Sequence, residues 1–331
     1  MDLDAFVSVH GPEWDRLDRL SRRRRLSGAE VDELVRLYQR AATHLSVVRS
    51  AAPDPALAAR LSRTVAAARA AVAGGHEPLG RELVRFVAVS FPAAVHRARW
   101  AAFGASVFTV VVALGAGLWV AGDPRVEAAL GSDRDIRQLV EVDFQNYYSE
   151  YAAGSFAAKV WTNNAWVSAL CIALGITGVA VVYLLFSNAV NVGLVGGLMA
   201  SHDRLGLFFG LILPHGLLEL TAVFVAAGAG LRLFWAWIDP GPLPRSRALA
   251  QEGRSMVTVA LGLIGVLFVS GVVEAFVTPS PLPTWARIGI GVLVWVVFLS
   301  YVGVFGRRGA RAGETGDVRA GLAGDTAPVA G

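Results

Sequence analysis

The chain has 331 residues, 54% of them apolar, with a formal net charge of +4 and a mean hydropathy of +0.51. The apolar residues fall in long uncharged blocks rather than at amphipathic spacing, which excludes an ordinary soluble domain and predicts an all-α, polytopic membrane protein. The one cysteine, Cys171, sits inside such a block, so a disulfide framework or a cysteine-based zinc site within one chain is excluded.

Residues 1–100 are expected to form a cytosolic helical region. Sixteen arginines there face eleven acids, an excess that suits anionic lipid headgroups. Nucleic acid is not expected as a partner, because the arginines are interleaved with acids and no nucleic-acid motif accompanies them. No charged leader followed by a short apolar core and cleavage site is present, so the amino terminus is expected to stay in the cytoplasm. Ser27 to Glu30 has capping-box spacing, and Val31, Leu34, Val35, Tyr38, Ala42 and Leu45 follow on one helical face. Asp54-Pro55 can start the next helix and Gly74 to His76 can end it. The segment PLGRELVRFVAVSFPAAVHRARW is predicted to lie at the membrane surface as an elbow, kinked at Pro92, with Arg97 and Arg99 near headgroups.

Residues 101–306 are predicted to be the transmembrane domain. Ala101 to Ala121, Ala165 to Phe186, Ser255 to Val273 and Ile288 to Gly306 each lack charged residues and approach the ~20 residues needed to cross ~30 Å of hydrocarbon. Leu205 to Ile238 is longer than one span and is interrupted by Pro214. Residues 123–159 hold seven acids against four bases, with Phe144, Tyr147, Tyr148, Tyr151 and Phe156 toward the far end, and are expected outside. Arg245, Arg247 and Arg254, in a predicted loop from Asp239 to Arg254, and the RRGAR tail belong inside by the positive-inside rule. Three crossings must then lie between the acidic segment and that loop. Short or re-entrant helices around Ser201 to Arg204 are predicted to supply the middle one, giving about six crossings with both termini cytoplasmic. Paired glycines, such as Gly193 with Gly197 and Gly206 with Gly210, favour close helix packing within the chain or in a homo-oligomer. Residues 307–331 are predicted to be a disordered cytosolic tail.

The stretch LILPHGLLEL places polar groups in the greasiest part of the chain. Pro214 is expected to break the helix so that a new one starts within the membrane, with Gly216 at the break and His215 and Glu219 one turn apart on one face. Asn163, Asn164, Asn188 and Glu274 are further polar groups that could join them in an intramembrane polar cluster. The cluster can be a structural clasp in which His215 and Glu219 satisfy each other, or a proton or ion relay. A metal hydrolase is the least supported reading, since HGLLE offers one histidine where a zincin helix offers two and a base. No metal, cofactor or catalytic residue is expected. Arg232 reads as a snorkelling anchor and His202 as an interfacial turn residue.

The run WTNNAWVSAL, then FSNAVNVGLVGGL, then LPHGLLELTAVFVAAGAGLRL, and finally VVEAFVTPS resembles the stage II sporulation protein M family of bacterial integral membrane proteins. The family's usual Asn-Gly after the second span appears here as Asn188-Ala189. The resemblance implies a multi-pass protein of the bacterial cytoplasmic (inner) membrane. In spore formers the namesake works in a complex with peptidoglycan-remodelling proteins and is not itself a hydrolase. The expected function is a non-enzymatic assembly or anchoring subunit whose partners are the lipid bilayer and other membrane or envelope proteins. The alternative is a small channel or transporter with its path at His215 and Glu219.

Overall fold

The structure, a computed structural model, describes residues 3–23, 26–51, 54–72, 79–143 and 153–317. It divides into two compact units, Met1–Leu83 and Val84–Gly331. Among the described residues the secondary structure is helical throughout.

The first unit packs α1 (Leu3–Ser21), α2 (Gly28–Ala51) and α3 (Pro55–Val72) around a shared core. Its start signals work as the sequence predicts. The Ser27 amide donates to Glu30 Oε2 at 2.9 Å and the Glu30 amide to Ser27 Oγ at 3.4 Å, closing the capping box. Asp54 Oδ1 accepts from the amides of Ala56 and Leu57 at 2.8 and 3.2 Å, with Pro55 in the first turn. The predicted stop at Gly74 to His76 lies outside the described residues. Trp14, Leu17, Leu34, Leu37, Ala41, Val48, Leu57 and Leu61 are buried, whereas Val31 is 44% exposed. The buried stripe of α2 is thus rotated from the expected face, because this helix packs between two others rather than against one.

Many arginines of this unit are already partnered. Arg16 grips Glu33 with two hydrogen bonds of 3.1 and 2.8 Å, while Arg40 reaches Glu13 and Arg60 reaches Asp15, each at 2.7 Å. Such pairs tie α1 to α2 and α3, and they leave less free positive charge for headgroups than the arginine count suggests.

α4 (Leu79–Arg85), a π-helical turn at Phe86–Ser90 and α5 (Phe91–Gly122) form one helical run. Pro92 cannot donate to the preceding turn, and the π turn, where the Phe91 amide bonds to Phe86 O, absorbs the mismatch. The expected surface elbow is corrected here. Residues Phe91 to Val95 are buried, with Gly262 against the Phe91 ring and Gly306 against Pro92 and His96. Two short helices, α6 (Pro124–Leu130) and α7 (Asp133–Gln138), follow. Phe144, Tyr147, Tyr148 and Tyr151 lie outside the described residues, as does the side chain of Phe156.

The remaining helices are α8 (Ala153–Ala173), α9 (Val179–Ser201), α10 (Leu205–Ile238), α11 (Arg245–Phe276) and α12 (Thr284–Arg311). Contacts fix their directions. Gly193 lies against Ala113 and Gly197 against Gly117, so α9 runs parallel to α5. Gly228 meets Ala102 while Arg232 meets Arg97, so α10 runs antiparallel to α5. Asn164 bonds Glu219 and Gly230 lies on the Cys171 carbonyl, making α8 parallel to α10. Arg232 pairs with Glu252 and the His215 carbonyl with Ser270, which makes α11 antiparallel to α10. Gly291 abuts Pro214 and Trp295 bonds Thr221, so α12 is parallel to α10. Helices α5, α9 and α11 therefore point one way and α8, α10 and α12 the other.

Five helices, counting the run Gly80–Gly122 as one, are long and apolar enough to cross a membrane. α8 has 21 residues and runs opposite to α5 and α9, the direction that a return between that parallel pair requires. The helices are cut differently from the sequence expectation. Ala165 to Phe186 is not one span: a 3-10 turn at Gly175–Thr177 divides it, with Gly178 at φ +62 and its Cα side facing the Phe234 ring. Residues 187–213 are not two re-entrant pieces, and α10 runs through Pro214 without a break. A hydrocarbon environment favours continuing a helix, since every backbone group exposed by a break would need a new partner. The predicted loop before Arg254 shrinks to the turn before Arg245, and α12 continues to Arg311. Arg85 to Glu314 (2.8 Å) and Arg254 to Asp317 (2.5 Å) then tie residues to 317 onto the second unit, so the expected disordered tail does not begin at 307. Residues 318–331 lie outside the described residues.

Candidate functional site

Helices α8, α10 and α11 pack on one another, and each turns polar side chains into the shared interior. Along α10, Pro214, His215, Gly216 and Glu219 are all buried. Asn164 Nδ2 donates to Glu219 Oε2 at 2.5 Å. His215 Nδ1 stands 3.3 Å from Thr278 Oγ1, and its Nε2 stands 4.0 Å from Glu274 Oε1. Ser270 Oγ donates to the His215 carbonyl at 3.0 Å. Glu219 is 1% exposed, Glu274 2% and His215 3%. Glu219 Oε1 and both carboxyl oxygens of Glu274 accept no hydrogen bond from any described residue.

Asn164, His215, Glu219 and Glu274 thus come together, with His215 near Thr278 and Glu274 and Glu219 accepting from Asn164. Glu219 follows His215 by one turn on α10, and Glu274 follows Ser270 by one turn on α11, so each pair lies along one face of its helix; His215 and Ser270 bond across the contact between α10 and α11, and Glu219 reaches α8 through Asn164. Pro214 and Gly216 act through packing: the Pro214 backbone receives Gly291, and a side chain at Gly216 would meet Ile212. Asn163 is exposed on the other side of α8, and Asn188 stands on α9, whose main neighbour is α5. Ser270 and Thr278 are members that sequence reading missed. Ser270 lies four residues before Glu274, a helical spacing that could have flagged it.

Two further polar constellations escaped the sequence reading. Arg232 is not a free snorkelling anchor: its Nη2 lies 2.7 Å from Glu252 Oε1 and its Nη1 donates to the Arg97 carbonyl at 3.2 Å. Arg97 also bonds Glu252, which is buried, and the triad lines a cleft of about 590 Å³ with Trp235, Asp239 and Gln251. In the first unit, His10, Glu13 and His44 bring potential ligand atoms within 4.8 Å of one another. Trp14 Nε1 donates to His44 Nδ1 at 3.1 Å, which leaves the proton of a neutral His44 on Nε2 and removes both nitrogens as ready metal ligands. Burial holds His44 below the usual imidazole range, which keeps it neutral in that role. His202, the other conceivable ligand, bonds its own turn through Ser201 and the Leu198 carbonyl.

Known proteins resemble both units of the chain. The family model for Stage II sporulation protein M matches residues 105–279, and a model for a domain of unknown function (DUF8413) matches residues 4–74. An uncharacterized protein of the archaeon Methanocaldococcus jannaschii is 29% identical over 152 residues, covering 45% of this chain and 84% of the relative. That relative takes the family beyond the bacterial setting expected from the sequence. No solved structure matches the chain.

Proposed function

We propose that this chain, which belongs to the Stage II sporulation protein M family, is a non-enzymatic anchoring or assembly subunit that holds partners of the cell envelope at the membrane. The observation that carries the reading is how tightly the interior of the second unit is closed. A side chain added at Gly193 would come within 2.4 Å of the Ala113 carbonyl, one at Gly230 within 2.3 Å of the Cys171 carbonyl, and one at Gly291 within 2.3 Å of the Pro214 carbonyl. Backbone packed against backbone on three helix pairs suits a rigid anchor better than a conduction path, while Gly206, Gly265 and Gly289 meet nothing within 4 Å in the chain. The first unit, with its own core and a surface of paired charges, is the part suited to engaging other proteins.

Orientation follows from charge. Arg245, Arg247, Arg307, Arg308 and Arg311 cluster at one end of the helices, while Asp123, Asp133 and Asp135 follow the opposite end of α5. The positive-inside rule supports a cytoplasmic location for the arginine end and for the first unit.

The test uses tagged full-length chain and a variant lacking residues 3–72, each extracted gently from membranes and compared by quantitative mass spectrometry. Both should integrate and elute as folded species, and the truncated form should lose a defined set of envelope proteins. An unchanged partner set, or proton or ion flux from the pure protein in liposomes, would overturn the anchoring reading.

A further inference from the structure

Two carboxylates, Glu219 and Glu274, lie inside the membrane-spanning core at 1% and 2% exposure on the packed helices α10 and α11, where His215, one turn before Glu219, brings its Nε2 to 4.0 Å from Glu274 Oε1. Among the described residues no lysine or arginine pairs with either. The nearest base is His215, with Nε2 4.0 Å from Glu274 Oε1. Even a charged imidazole there would offset one negative charge of two. A pair of bare carboxylates in so dry a place is not stable without a partner of opposite sign.

One proton on the pair would remove one charge and leave the second carboxylate without a cation, and Glu219 Oε1 and both Glu274 oxygens accept no hydrogen bond from any described residue. A cation would meet three unsatisfied oxygens and the surplus charge together. We infer that Glu219 and Glu274, with the Ser270 hydroxyl one turn before Glu274 on α11, form an intramembrane site for one hard cation.

The donor set defines the chemistry. Carboxylate and hydroxyl oxygens, without thiolates, suit sodium, magnesium or calcium rather than zinc or copper. Charge balance allows a divalent ion, or sodium with one carboxyl protonated. Asn164 is a positioning residue: its Nδ2 bond to Glu219 Oε2 fixes the carboxylate with Oε1 left to bind. Ser270 spends its proton on the His215 carbonyl, which leaves oxygen lone pairs available. Access comes from the end where α11 finishes, since Glu274 precedes the exposed residues Pro279 and Pro281 by about two turns or less. The site closes α8, α10 and α11 on one another, and it does not depend on the anchoring role.

The experiment is thermal unfolding of the purified full chain, followed by tryptophan fluorescence at constant ionic strength in choline chloride. Sodium, potassium, magnesium and calcium are then added separately. One of the hard ions should raise Tm by roughly 3–5 °C for each tenfold increase above its dissociation constant. Glu274→Gln should lose that response while Asn163→Ala, on the exposed side of α8, keeps it. If Glu274→Gln does not unfold cooperatively, displaceable binding of radiolabelled sodium or calcium to wild type decides the matter, with Glu219→Gln as the second variant. Equal Tm in every salt together with no displaceable binding would overturn the site, as would a full response in folded Glu274→Gln.

Discussion

Replacing Gly230 by alanine tests the arrangement at one of its closest backbone contacts. The added methyl carbon would lie 2.3 Å from the Cys171 carbonyl oxygen and 3.1 Å from Gly175 Cα, both backbone atoms that cannot rotate aside. α8 and the turn after it would have to move off α10 by about 1 Å, a gap that forfeits a quarter to a half of each contact's attraction. Overpacking of this kind costs about 1–3 kcal/mol, against about 0.5–1 kcal/mol gained by removing a helical glycine. The net cost of about 1–2 kcal/mol should lower Tm by about 2–8 °C for a unit of this size. The matched control is Gly265→Ala on α11, where an added methyl meets nothing within 4 Å and Tm should hold or rise slightly. Fluorescence-detected size-exclusion melting of both variants in one detergent gives the comparison. Equal melting of the two, or a Gly230→Ala protein above wild type, would refute the packing of α8 against α10.

Removing one member of the triad at the other end should also be costly. Glu252→Ala leaves two guanidinium groups facing each other without their shared acceptor, and the expected loss, reduced for the partial exposure of Arg97 and Arg232, is about 1–3 kcal/mol in the same melting assay. In the first unit, the Arg16 hydrogen bond holds Glu33 below the usual carboxylate range and the Ser27 amide does so for Glu30, while burial lowers His44. The lowered acids contribute stability above about pH 4.5 that fades as pH falls through their folded values. The lowered histidine adds a cost that begins below about pH 6.5, where the unfolded chain takes up the proton first. The hydrogen-exchange opening free energy across residues 28–72, corrected for the intrinsic rate at each pH, should therefore fall from about pH 7 to about pH 5 and further toward about pH 4, and values that do not fall with acid would contradict these assignments.

Local chemistry was legible where a few residues decide it. Ser27 with Glu30, and Asp54 with Pro55, announce helix starts that the structure realises with side-chain hydrogen bonds. The uncharged runs announce membrane helices, and the polar motifs name His215, Glu219 and Glu274, which the structure buries on α10 and α11, though not Ser270 or Thr278. The division into passes was harder to read, because two cues conflict in hydrocarbon. Pro214 looks like a break but is carried inside a continuous helix, whereas Leu174 to Gly178 is a real turn hidden in an apolar run with no charge to mark it. Its signal is modest: Thr177 bonds the Leu174 carbonyl at 2.8 Å and Gly178 supplies the positive φ. The Arg97, Arg232 and Glu252 triad was illegible for another reason. Its members are 135 and 20 residues apart in sequence, and only the antiparallel packing of α10 on α5 and α11 brings them together.

The alternation of six passes is the claim on which the site, the orientation and the anchoring role all depend. It is tested most directly by single cysteines at Ile176, Arg204, Ser246 and Ser132 in a Cys171→Ala background, labelled in intact cells with a membrane-impermeant maleimide. Ile176 and Ser246 should be protected until the membrane is opened, and Ser132 and Arg204 should label at once. Labelling of Ile176 and Arg204 from the same side would mean that the chain between them does not cross, and would contradict the account.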